Sequence, residues 1–220
     1  MEGSHLARYA ARFPVVEINS SFHRSHRPGT WARWAAETPT GFRFAAKLPK
    51  AVTHTLRLVA TDEALDAFLE EAAGLGEKLA VLLVQLPPSL AFDAAVAAPF
   101  FAGLAARTGA SVVCEPRHAS WFEHEADALL AEHRVARVAA DPARVPAAAH
   151  PGGWRGMAYH RLHGSPRTYY SSYPPEYIHV LADRLREDAA EGRDAWCIFD
   201  NTASGAAAAN ALELLAALAP

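Results

Sequence analysis

Short apolar runs alternate with helix-forming stretches from one end of this chain to the other, and that alternation limits the fold more than any other feature. Residues 15–19, 43–47, 80–86, 111–115, 135–141, 157–163 and 196–201 are rich in Val, Ile, Leu and Phe. They show little period-two alternation, as expected of strands covered on both faces. Between them lie stretches with recognisable helix starts: Thr30 before 31–36, Thr61 before 62–73 with two acids in the first turn, and Ser204 before an Ala-rich final helix. Gly74 and Gly76 close the second of these. Residues 142–153, rich in Pro, Ala and Gly, read as a loop within one domain spanning 1–220.

Repeated strand-then-helix units predict a parallel sheet, either open and doubly wound or closed into a barrel. The open form usually carries a glycine-rich phosphate turn after its first strand, and no GxGxxG occurs here. The expectation is therefore a TIM-type parallel (β/α) barrel. Seven strands are visible where eight close a ring, and 220 residues fall below the roughly 250 typical of that fold. The stretch 4–13 reads as a helix capped by Ser4 that runs directly into the first visible strand. A strand ahead of it is expected and missing, so the domain reads as N-terminally shortened. The open edge then predicts a homodimer, lability, or an edge covered by the N-terminal segment.

The strand ends carry the chemistry. Glu17 and Asn19 share a face of the first run, since alternate residues do. Later runs end at Lys47, at Gln85, at Glu115 with Arg117 and His118 beyond, at Asp141, at Arg161 and His163 on one face, and at Asp200 and Asn201. A single charged residue after a strand is usually just the first solvated loop position. In a parallel barrel, however, all C-terminal strand ends face one rim, where active sites of that fold lie. Glu17 and Glu115, with His163 and Asp200, are the acid–base candidates. Lys47, Arg117 and Arg161 suit a phosphate or carboxylate. A buried ion-pair network bracing the barrel mouth would use the same residues.

Divalent-metal ligand types are present, but HxH and HExxH spacings are not, and the rim cations compete with a metal. Metal therefore ranks below anion binding, and no organic cofactor has a signature here. Trp121 is a candidate stacking residue, as are Tyr169, Tyr170 and Tyr173, whose segment can act as a lid. Trp31 and Trp34 read as packing. Cys114 and Cys197 sit in apolar runs as reduced thiols, which fits a cytoplasmic protein. No apolar run approaches the length of a membrane span. The formal net charge of −3 argues against bulk electrostatic capture of nucleic acid, although not against a local site.

Several stretches resemble the YecE-like family, catalogued as domain of unknown function 72. They are 16–24 (VEINSSFHR), 42–49 (FRFAAKLP) with Thr53 and His54, 85–88 (QLPP), 115–122 (EPRHASWF), 161–164 (RLHG), and 199–201 (FDN) with Gly205, Asn210 and Ala211. The resemblance implies a TIM-barrel-like fold and no established reaction. It marks Glu17, Asn19, Lys47, His54, Gln85, Glu115, Arg117, His118, Arg161, His163, Asp200 and Asn201 as the family's polar positions. It also implies a first strand of the form Gly-Thr/Cys-Ser/Ala-Gly-Trp, which this chain lacks.

The functional expectation is an enzyme, a hydrolase or lyase, that binds a small anionic, phosphate-bearing substrate. The alternatives are a metal-assisted, endonuclease-like barrel that handles nucleic acid, and a non-catalytic ligand-binding protein.

Overall fold

A computed structural model describes residues 4–219. The chain divides into two compact units, Met1–His118 and Ala119–Pro220.

In the first unit, helix α1 (His5–Ala10) begins at Ser4, whose hydroxyl accepts from the Ala7 amide at 3.1 Å. Strand β1 (Val15–Ile18) follows, then α2 (Pro28–Ala36), β2 (Arg43–Lys47), α3 (Asp62–Ala72), β3 (Leu79–Gln85), α4 (Ala94–Arg107) and β4 (Ser111–Glu115). The four strands pair in parallel and in sequence order, with Val16 opposite Phe44, Ala45 opposite Val81, and Gln85 opposite Glu115. Leu82, Leu83 and Val84 are fully buried, as are Ala45 and Ala46. β2, β3 and β4 are buried along most of their length on both faces, which explains their continuous apolar reading.

Local chemistry sets the helix boundaries, and in two places it corrects the expected start. Helix α2 starts at Pro28, not after Thr30: proline lacks the N–H that the first turn leaves unused, and its fixed φ suits that position. Its far end is held by Lys78, whose ammonium donates to the carbonyls of Ala35 (2.6 Å) and Thr38 (2.7 Å). A cation on the last carbonyls also opposes the helix dipole. Thr61 does precede α3, though its hydroxyl makes no cap bond there.

The outer side of β1 is met by Tyr9. The Pro14 carbonyl accepts from Arg43 of β2, so the next carbonyl, Val15, turns the other way, and the Tyr9 hydroxyl donates to it at 3.1 Å. The ring packs on Phe13 and Phe42, and burial pushes the phenol up to about 12. The helix ahead of β1 thus satisfies one carbonyl of that strand.

The second unit contains α5 (His124–Glu132), β5 (Val135–Arg137), β6 (Ala139–Asp141), β7 (Gly152–Gly153), β8 (Met157–Leu162), α6 (Pro175–Ala190), β9 (Asp194–Phe199) and α7 (Ala206–Leu218). The single expected strand over 135–141 is two strands broken at Val138. Its first half pairs antiparallel with β7, with Arg137 opposite Gly152, and its second half pairs parallel with β8. β8 in turn pairs parallel with β9. The expected loop 142–153 therefore ends in a short strand. Gly153 is required there: its φ is 63°, and a Cβ would lie 2.5 Å from the Val135 carbonyl. Ile178, Leu181, Ala182 and Leu185 of α6 pack with Leu162, Tyr173 and Leu214, each large aliphatic contributing about 1.5–3 kcal/mol by its burial. The last helix starts after Gly205 (φ 79°), while Ser204 donates its hydroxyl to the Tyr170 carbonyl instead of capping α7.

The fold is thus mixed α/β on mostly parallel strands. The pairings among the described residues do not by themselves complete a ring. Both cysteines are free thiols, and burial pushes that of Cys197 up. Among the described residues no helix is long and apolar enough to cross a membrane.

Candidate functional site

In the first unit, three adjacent strand ends are wired into one polar chain. Lys47 ends β2, Gln85 ends β3 and Glu115 ends β4; their exposures are 9%, 6% and 2%. Parallel register puts the three termini side by side. The Lys47 ammonium donates to Gln85 Oε1 at 2.6 Å, and Gln85 Nε2 donates to Glu115 Oε1 at 2.9 Å. The amide can stand only this way round, because a flip would aim its NH2 at the ammonium and its oxygen at the carboxylate. Arg117, two residues past the strand, donates Nε (3.0 Å) and Nη2 (2.9 Å) to the same Glu115 oxygen. One buried carboxylate therefore lies between two cations, one of them reached through a neutral relay.

The surroundings of this chain are positive. The Lys47 ammonium also lies 4.1 Å over the Phe22 ring, and Phe22 meets the His54 ring edge-on at 4.9 Å. His54 Nδ1 is paired with the Thr53 hydroxyl at 2.9 Å. Burial first, and then Lys47, Arg117 and Lys50, hold the His54 imidazole below the ordinary histidine range. Glu17 and Asn19 form a pair of their own at the end of β1, with Asn19 Nδ2 donating to Glu17 Oε1 at 2.9 Å. The Asn19 side-chain oxygen, Oδ1, is buried and has no partner among the described residues. His118, half-buried, follows Arg117 at the end of this unit.

The second unit carries a different cluster. Arg161 and His163 lie on one face of β8 and its extension, as alternation requires, and both reach Asp200 just past β9. His163 Nδ1 is 3.1 Å and Arg161 Nη2 3.2 Å from Asp200 Oδ2, while Arg161 Nη1 is 3.4 Å from His163 Nε2. A carboxylate on Nδ1 selects the tautomer with the lone pair on Nε2, and that lone pair faces the Arg161 guanidinium. Arg161 is wholly buried, and Asp200 keeps 19% of its side chain exposed. Asn201 is wholly buried too; its amide donates to Ser171 O (2.9 Å) and Asn210 Oδ1 (3.0 Å), so it positions the segment after β8.

Other candidates have structural roles. Trp121 is 1% exposed, so its indole is already enclosed by protein and presents no open face for stacking. Tyr173, at 3%, donates its hydroxyl to Asp141 Oδ1 (2.7 Å) and accepts the Gly164 amide (2.8 Å). Burial and Asp141 push its phenol well above the ordinary range. Trp31 packs against Trp34, His26 and Phe68, as expected. No group of three or more His, Cys, Asp or Glu side chains gathers as metal ligands among the described residues.

Sequence reading missed a second His–Asp pair. His160, on the opposite face of β8 from His163, bonds Asp188 of α6 at 2.9 Å, and Arg193 holds the other Asp188 oxygen at 2.7 Å. The signal was present: Asp188 continues the apolar stripe Leu181, Leu185 at helical spacing, and an acid in such a stripe needs a buried partner.

Comparison with known proteins places these residues in a wider group. The sequence profile described as "Protein of unknown function DUF72" matches residues 1–220. The UPF0759 protein YecE of Escherichia coli K12 is 30% identical over 82 residues, 37% of this chain and 30% of that protein. The UPF0759 protein YunF of Bacillus subtilis 168 is 32% identical over 89 residues, 38% of this chain and 32% of that protein. The chain thus spans about a third of the length of these curated relatives. A crystal structure of a DUF72 family protein from Enterococcus faecalis V583 superposes with a TM-score of 0.84 at 22% identity, covering 97% of this chain and 93% of that one. At that identity the likeness speaks for the fold. Another, from Thermotoga maritima MSB8, gives 0.77 at 25% identity, covering 94% and 85%.

Proposed function

This chain belongs to the DUF72 family, and we propose that it is an enzyme acting on a small anionic, phosphate-bearing substrate by carboxylate and histidine acid–base chemistry, as a hydrolase or lyase. The observation that carries the reading is the Lys47–Gln85–Glu115–Arg117 chain, in which two cations flank one buried carboxylate at adjacent strand ends. Lys47 and Arg117 attract the anion; a guanidinium suits paired phosphate oxygens, and an ammonium acts as a point charge. The cations that, after burial, help hold His54 below the ordinary histidine range are the ones an anion would meet. Glu115 is the proton-transferring group of this cluster, and Gln85 keeps it aligned. In the second unit the His163–Asp200 pair is a second acid–base candidate.

The reading includes the TIM-type barrel expected from the sequence, supported by parallel pairing within each unit and by the strand-then-helix order. An experimental structure with an open sheet would count against it. Two free thiols fit the reducing cytoplasm.

The test is a turnover screen of phosphomonoesters, sugar phosphates and nucleotides on the purified chain, followed by E115Q. A hit whose rate drops by about a hundredfold or more in E115Q, with the fold intact by circular dichroism, supports the assignment. Turnover that E115Q leaves unchanged removes Glu115 from the chemistry and the assignment with it.

A further inference from the structure

We propose that Tyr169 is a stacking platform for the planar base of a nucleotide-class ligand, presented beside His163 by the segment that follows β8. The inference stands on the second unit alone and does not need the Lys47–Glu115 cluster to be the anion site.

Tyr169 sits in the left-handed region, φ 70°, where a side chain collides with its own backbone and glycine is the favoured residue. A tyrosine there is strained, and such strain persists only where the surroundings enforce it. They do. The Tyr169 amide donates to the His163 carbonyl, and its carbonyl accepts from Ala203 at 3.0 Å. Gly164 at φ 93° lets the chain turn back: a Cβ there would meet the Ser171 carbonyl at 2.9 Å. Asn201 holds that same carbonyl, and Asn210 grips Tyr173 through both its amide (3.1 Å) and its carbonyl (3.0 Å). The backbone is therefore fixed on both sides of a residue that strains it.

The ring gains little packing in return. It is 43% exposed and meets the His163 ring edge-on at 6.0 Å. Buried Tyr173, four residues on, shows what a structural tyrosine in this segment does: it spends its hydroxyl on Asp141 and packs. The Tyr169 hydroxyl has no such bond among the described residues, and its ring is left largely open beyond the edge contact with His163. Its neighbour Tyr170, 46% exposed, carries the Arg167 guanidinium 3.9 Å over its ring, so the same turn also offers a cation already oriented by an aromatic face. A rigid exposed aromatic ring beside an exposed guanidinium and an acid–base pair matches a ligand with a planar heteroaromatic ring and a phosphate. Bases stack on such rings without requiring a particular sequence of hydrogen bonds.

The experiment is calorimetric titration of AMP and of ribose phosphate into the wild-type chain, Y169G and Y169F, with thermal melts of all three. AMP is expected to bind at least about tenfold more tightly than ribose phosphate to the wild type and to Y169F. In Y169G that advantage is expected to vanish while ribose phosphate binding and the melting temperature hold, because glycine relaxes the left-handed backbone. Ribose phosphate binding reports on anion capture separately from stacking. The proposal is overturned if AMP does not bind or binds no tighter than ribose phosphate, or if Y169G keeps the AMP advantage. It is equally overturned if Y169G melts well below the wild type, since the ring is then structural.

Discussion

Strand β8 and its extension carry two histidine–aspartate pairs, one on each face, built from the same chemistry and differing in how exposed the aspartate is. His160 and Asp188 are 4% and 7% exposed, sealed between the strand and α6, with Arg193 closing the far side. His163 lies just past the strand's end, and its partner Asp200 keeps access to solvent. His160 Nε2 and both Asp188 oxygens are committed to neighbours inside the fold, which makes the inner pair a brace. The outer pair reaches solvent through Asp200, whose side chain is 19% exposed, while His163 is itself buried. Identity of residues does not separate the two; position along the strand does.

The sharpest way to break that contrast is to swap the roles by mutation. H163Q is expected to lower turnover of an identified substrate by about a hundred- to ten-thousandfold, the usual worth of a positioned acid–base group. H160Q is expected to leave kcat unchanged in the protein that remains folded. Steady-state kinetics on both variants decides it, and equal kinetic losses would dissolve the distinction.

Stability should show the reverse order. D188A leaves the His160 N–H without its buried acceptor and removes one partner of Arg193, for a loss of about 3 kcal/mol in urea unfolding. D200N, which keeps the size and an acceptor oxygen, is expected to cost about 1 kcal/mol. A D188A variant as stable as D200N would show the inner pair to be no brace.

A pH series sharpens the same comparison. Burial, opposed by Asp188, holds His160 below the ordinary histidine range, and burial likewise lowers His26 and His54. The unfolded chain then binds these protons more readily than the folded one. Their contribution is fully present above the unfolded value of about 6.5 and is lost as pH falls below it. Denaturation midpoints should therefore decline from about pH 6.5 downward, with a shallower decline in H160Q. An unchanged slope in that variant would show that His160 does not couple to folding.

The smallest expected effect concerns the first unit. Replacing Lys47 in K47M removes one of the cations that depress His54, so its titration, followed by NMR, should move upward toward the ordinary value. The move is partial, since burial is the largest cause and Arg117 and Lys50 remain.

Much of this was legible in the residues. Strands covered on both faces read as apolar runs, so β2 and β4 were found to the residue, and the strand-end polar groups followed from alternation. Arg161 and His163 were placed on one face for the same reason. What sequence could not supply were partners distant along the chain. Nothing local says that Tyr173 spends its hydroxyl on Asp141, that Trp121 is enclosed, or that Asp188 pairs with His160. The break at Val138 likewise depends on which neighbours each half of the 135–141 run finds, a tertiary choice that overrides local propensity. Helix starts failed where proline or glycine at the boundary outcompeted a hydroxyl cap, as at Pro28 and Gly205.

The central claim is that the cations flanking Glu115 capture an anion, and titration of inorganic phosphate into the wild type, R117A and R107A tests it most directly. Arg107 is bound to Asp62 and Asp66 on the outside of the first unit, so its loss controls for net charge. Saturable binding that weakens with salt, falls by about tenfold or more in R117A and persists in R107A is the predicted result. Wild-type protein that fails to bind phosphate, or that loses no more affinity in R117A than in R107A, would contradict it.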